Sequence, residues 1–205
     1  MKTFFTAVAL CLGLSATAQQ PSTMIQTVSL EDVVIKNSAG QQYASKVRSE
    51  NVHIQLYAPT GKDNGLEKTY FVTKVPPLSD RPVLLHGIDV KLKPFDTSLF
   101  DIKLLVLQIN GNDTLKKITT IDASKLRKNK MTVLFDNEDI ELQPGECYIG
   151  YGFHIKGLQT PYMYRLYSGT RGEGGIITFS DEGMNITVAP QFPYIFPFNI
   201  SYRAL

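Results

Sequence analysis

The stretch Glu138–Ile155 (EDIELQPGECYIGYGFHI) constrains the fold more than any other part of the chain. Ile140 and Leu142 alternate with charged residues, Pro144-Gly145 interrupts the run, and Cys147, Ile149, Tyr151, Phe153 and Ile155 then share one parity. Successive side chains of a strand point to opposite faces, so apolar residues at every second position make one face of a half-buried strand. Pro144 cannot donate to a ladder and Gly145 supplies a turn conformation. The stretch therefore predicts two successive strands, Glu138–Leu142 and Glu146–Ile155, which need not pair with each other. Cys147, Ile149, Tyr151, Phe153 and Ile155 should point inward, with Glu146, Tyr148 and His154 outward. Gly150 and Gly152 share the outward parity, where bare backbone admits close approach of a neighbouring segment or a ligand.

Similar runs recur along the chain, among them Thr27–Lys36, Val52–Tyr57, Lys68–Lys74, Val83–Lys93, Phe100–Asn110 and Leu115–Ile121. Met131–Phe135, Tyr162–Ser168, Gly175–Phe179, Asn185–Val188 and Phe198–Arg203 continue the series. Gly, Asn and Pro clusters separate them, the pattern of a sandwich or barrel. The pattern around His86-Gly87 slips by one residue, which predicts a bulge. Phe100–Asn110 is apolar on both faces and belongs in the middle of a sandwich or under a covering segment. Asp122–Asn129 is the only helical-looking stretch, a turn or two with Asp122 as cap. The expected fold is an all-β, mostly antiparallel, jelly-roll-like sandwich with at most one or two short helical turns. Its expected organisation is a leader over 1–18, an extended N-terminal segment over 19–43 and one sandwich domain over 44–205.

The first residues read as a targeting segment. Lys2 supplies the positive start, Phe4–Leu14 the apolar core, and Ala16-Thr17-Ala18 a small-residue cleavage site. The sequence thus predicts export, with a periplasmic, outer-membrane-associated or secreted destination and no transmembrane segment in the mature chain. Cys11 lies inside the leader, so processing leaves Cys147 as the single thiol, unable to form an intrachain disulfide. Its parity marks it as a small core residue rather than a nucleophile. With 21 Lys+Arg against 19 Asp+Glu, one of the former being Lys2, charge gives no reason to expect nucleic acid as a partner. The local cluster Lys125, Arg127, Lys128 and Lys130 has no interleaved aromatic residue to stack a base and reads as a solvated turn.

The succession Asp101–Asn110, a polar turn, Thr119–Leu126, and then Asp139–Phe153 with its Leu-x-Pro-Gly entrance carries a resemblance. It resembles the sandwich region of exported Gram-negative proteins related to the carboxypeptidase regulatory-like group, over roughly residues 83 to 180. The resemblance implies a non-catalytic, jelly-roll-like accessory protein of the envelope and nothing about a ligand. The partner is left open by the residues, a glycan or another envelope protein being the options, and no cofactor is expected.

Catalytic spacings are scarce. His53, His86 and His154 stand apart in strand-like runs, without the H-E-x-x-H or paired-Cys spacing of a zinc site. Ser168 and Ser180 lack the flanking glycines of a nucleophile elbow. Asp136, Glu138 and Asp139 gather oxygen in one loop and form a weak calcium candidate that does not fit the usual calcium-loop spacing. Thr170–Gly175 is glycine-rich but lacks the Lys-Ser/Thr of a phosphate cradle, and reads as a mobile loop. The aromatic residues are the remaining candidates. Tyr162, Tyr164 and Tyr167, with Tyr148, could offer sugar-stacking platforms, although core packing is the preferred reading of such residues. The expectation is thus an exported binding or envelope-assembly sandwich. The alternatives are a secreted hydrolase with a loop-borne acidic pair, acting on polysaccharide or peptide, and a carbohydrate-binding module built on tyrosines.

Overall fold

Thirteen strands and one 3-10 turn make up the described residues of this computed structural model, and every strand pairing is antiparallel. The structure describes residues 41–44, 47–57, 68–135, 140–169, 172–189, 192 and 194–205, all within the unit Gln41–Leu205. The leader, the rest of the N-terminal segment, the run Thr27–Lys36 and the loop carrying Asp136, Glu138 and Asp139 lie outside these residues.

In chain order the strands are β1 (Gln41–Ala44), β2 (Val47–Leu56), β3 (Thr69–Val75), β4 (Val83–Lys91) and β5 (Phe100–Asn110). Then come β6 (Asp113–Thr120), β7 (Lys130–Leu134), β8 (Ile140–Leu142), β9 (Cys147–Ile155) and β10 (Tyr162–Gly169). The hairpin β11 (Glu173–Ser180) and β12 (Gly183–Ala189) and the last strand β13 (Asn199–Ala204) complete the set. One sheet runs β12-β11-β3-β9-β5-β6, and facing it lie β1-β13-β4-β7, with β8 also on β4, and the pair β10-β2. A single bridge between Leu92 and Leu166 ties the end of β4 to β10. The inner quartets are therefore β3-β9-β5-β6 opposite β2-β10-β4-β7, and apart from the hairpin β5-β6 successive strands of the quartets cross from layer to layer. That is jelly-roll connectivity, with the hairpin added at one edge and β13 on β4.

Each piece follows from local chemistry. Gln41–Tyr43, assigned from the sequence to the N-terminal segment, are part of β1 and paired with β13. Pro144-Gly145, with Gly145 at φ +151, takes the chain from β8 in one layer to β9 in the other, so the two strands the turn joins do not pair. His86 is the extra residue of a bulge, since Gly87 faces Ser201 while Leu85 faces Tyr202. The helical stretch shrinks to Ala123–Lys125, where the Asp122 carboxylate accepts from the Ser124 backbone N–H at 3.0 Å.

The inner faces meet in one core. Phe71, Ile102, Leu104, Ile149, Tyr151 and Phe153 come from the six-stranded sheet, and Ile54, Leu85, Ile88, Tyr164, Leu166 and Ile200 from the other layer. Phe196 and Phe198, from the segment before β13, pack on Tyr151. Thr73 fastens that segment to β3, its Oγ1 accepting from Phe196 N at 2.6 Å.

A second apolar cluster, Tyr70, Val72, Leu105, Leu107 and Ile177, lies on the other face of the six-stranded sheet. The sheet curls around it. Where an outward Cβ of Gly150 would sit lie Phe71 O and Val72 Cα, and at Gly175 lie Thr187 O and Val188 Cα, so the neighbouring backbone folds over both glycines. The Lys116 ammonium of β6 stands 3.6 Å over the Phe179 ring of β11, although three strands separate the two. In a flat sheet that separation would be about 19 Å at the ordinary strand spacing. The glycines on the outward parity of β9 and β11 let the sheet close into a half-barrel.

Candidate functional site

A pocket of about 360 Å³ opens where this curled face meets β1, lined by Tyr43, Lys74, Pro76, Glu146, Gly172 and Glu173. Lys74 is on β3 with Val72 and Tyr70 on the same parity, so the apolar cluster ends in charge. Glu173 stands directly across from Lys74 on β11, and Tyr148 directly across from it on β9. Glu146 is two residues before Tyr148 and leaves the strand on that same side.

The Lys74 ammonium bridges both carboxylates, 2.9 Å from Glu146 Oε2 and 3.1 Å from Glu173 Oε2. Hydrogen bonds to Glu146 and then Glu173 hold the ammonium charged and push its pKa well above the ordinary 10.5. The two carboxylates have similar surroundings, with side chains 50% and 43% exposed. Glu146 is positioned from beneath. The buried Gln108 amide of β5 donates to Gln143 O and accepts from Gln143 N, both at 2.8 Å, clamping the peptide before the Pro144-Gly145 turn. Tyr43, on β1, covers the pocket beside Cys147, and burial followed by the Cys147 thiol raises its hydroxyl pKa.

The four tyrosines named from sequence are not one platform. Tyr148 belongs to the curled face and packs on its apolar cluster, beside Lys74. Tyr164 is on β10 and in the main core, 2% exposed, its hydroxyl donating to Lys93 O at 2.6 Å. Tyr167, 9% exposed, accepts from Asn129 Nδ2 at 3.0 Å and carries the Lys91 ammonium 4.1 Å over its ring. Tyr162 is the most exposed of the four, at 38%, with Phe100 behind it at 5.9 Å. The bare backbone of Gly152 is covered by the Tyr70 ring, whose Cε1 lies 2.6 Å from where a Cβ would be. The calcium candidates Asp136, Glu138 and Asp139 lie outside the described residues.

Among the described residues no three His, Cys, Asp or Glu side chains converge as a metal set. Cys147 is buried, and desolvation pushes its thiol pKa up to about 12. The glycine-rich run proves to be strand from Glu173 onward and contributes a pocket carboxylate. Sequence reasoning missed Lys74, Glu173 and Tyr43, which come from strands far apart in the chain and follow no local spacing. No family model, curated protein or solved structure matches the chain. Among the described residues no helix is long and apolar enough to cross a membrane.

Proposed function

We propose that the chain is an exported, non-catalytic binding protein of the cell envelope, holding a hydroxyl-rich ligand of glycan type between Tyr43 and the Glu146–Lys74–Glu173 triad. This extends the resemblance to envelope accessory proteins. The observation that carries it is the ammonium fixed between two carboxylates at the wall of an open pocket. Such a triad presents one donor group and two acceptor groups in set positions, while Tyr43 and Pro76 offer apolar surface. A sugar has matching parts, hydroxyls that both donate and accept and a face of C–H groups. Calorimetric titration with a panel of soluble neutral oligosaccharides tests it. Saturable binding to at least one sugar, weakened about tenfold or more by Lys74→Met and by Tyr43→Ala, is the expected result; ten-fold corresponds to about 1.4 kcal/mol. Absence of binding across the panel would overturn it.

One observation favours a second reading, the hydrolase. Two carboxylates that share one ammonium lie at most about 6 Å apart, near the spacing of a retaining glycosidase pair. Against it, an acid–nucleophile pair needs unlike environments, and here both carboxylates meet the same cation with similar exposure. Release of new reducing ends, abolished by Glu146→Gln or Glu173→Gln, would decide for the hydrolase.

A further inference from the structure

The six-stranded sheet ends in two unlike edges. At one end β6 carries Asp113, Lys116 and Lys117, charges of the kind that discourage another strand from adding on. At the other end β12, GMNITVA, has seven residues with no charge and no proline. Its inner edge is paired with β11 from Gly174↔Ala189 to Ser180↔Gly183, and among the described residues no strand pairs with its outer edge. Among the other described edges, β1 has four residues, β8 three, and β7 carries Lys130. A row of backbone donors and acceptors on an unguarded edge is satisfied best by another strand.

The side-chain pattern says which strand. In an antiparallel pair centred on Ile186, Ile186 meets its own copy, Met184 meets Val188, and Asn185 meets Thr187. Every apolar residue then faces an apolar one, and every polar residue a polar one. A segment complementary to itself about its centre is what a two-fold interface requires, because each copy presents the same patch. Met184 and Ile186 already pack on the apolar cluster of the curled face, so pairing would extend that cluster across the axis. Asn185 and Thr187 are exposed on the opposite face.

We propose that β12 pairs antiparallel with β12 of a second copy, joining two half-barrels into one continuous sheet about an axis through Ile186. Sedimentation of the purified protein at about 0.1 mM, where a complex of micromolar Kd is largely formed, tests this. The variant N185K/T187K sets lysine opposite lysine twice across the axis, whereas N185K/T187E sets lysine opposite glutamate twice. Wild type and N185K/T187E should sediment at twice the monomer mass. N185K/T187K should sediment as monomer with an unchanged circular dichroism spectrum. Amide exchange at Met184, Ile186 and Val188 should also quicken on dilution of the wild type, because Phe179 N bonds back to Lys68 O and the alternation along β11-β12 therefore turns those three N–H groups to the outer edge. A wild type that stays monomeric, or a double-lysine variant that dimerises as well as the other two, overturns the proposal.

Discussion

Replacing Gly150 by alanine tests the curled sheet at its tightest point. The new methyl carbon would fall on Phe71 O and within 2.6 Å of Val72 Cα, both backbone atoms of β3. Gly150 is in the middle of β9, held by β3 on one side and β5 on the other, so the strand cannot step aside without breaking one ladder. Overpacking a core ordinarily costs about 1–3 kcal/mol, and a clash that only backbone can relieve belongs at or above the top of that range. At about 2–4 °C per kcal/mol for a domain of this size, the expected fall in Tm is about 10 °C. Gly152→Ala is the matched control, two residues along the same strand and facing the same way. Its methyl meets the Tyr70 ring, a side chain that can turn, so the loss should be clearly smaller. Urea melts followed by circular dichroism give both values. If Gly150→Ala loses less than about 1 kcal/mol, or no more than Gly152→Ala, the glycine account of the curl is refuted.

Ile149→Ala, at a fully buried position of β9, should cost about 2–5 kcal/mol in the same melts, and a loss below 1 kcal/mol would remove β9 from the core. Cys147, its pKa pushed up to about 12 from 9.0, should resist thiol reagents at neutral pH in the folded protein and react at once in denaturant; fast labelling without denaturant would contradict its burial. The Lys74 pKa is raised, so the stability it adds is whole below 10.5 and declines as pH rises above that value. The Tm gap between wild type and Lys74→Met should therefore hold from neutral pH to about 10.5 and narrow beyond it. A gap that closes well below 10.5 would mean the bridge does not stabilise the fold.

Much of the fold could be read from the chain because period-2 alternation is a local signal. Cys147 to Ile155 declared their faces by parity, the slip at His86-Gly87 announced its bulge, and Pro144-Gly145 marked a turn whose strands go to different sheets. The curl was less legible. Gly150 and Gly152 signalled close approach, but which partner fills the space depends on Val72 and Tyr70, some eighty residues earlier in the chain. The pocket was less legible still. Lys74, Glu146 and Glu173 become neighbours only through the pairing of β3 with β9 and β11, so Glu173 looked like part of a glycine-rich loop. The tyrosines misled for a related reason. Tyr162, Tyr164 and Tyr167 are close in sequence, yet Tyr162 stands at the exposed start of β10, Tyr164 in its buried stretch and Tyr167 beyond the bulge after Leu166, and Tyr148 is across the sheet from Tyr164.

The central claim is that the Tyr43–Lys74–Glu146–Glu173 pocket holds a ligand and leaves it intact. Amide chemical-shift mapping of the isotope-labelled protein, during titration with an oligosaccharide selected by calorimetry, tests this most directly. The account predicts saturable shifts at Tyr43, Lys74, Glu146, Gly172 and Glu173 with the sugar's own signals unchanged in number. Shifts confined to Tyr162 and its neighbours, or the appearance of cleaved sugar in the tube, would contradict it.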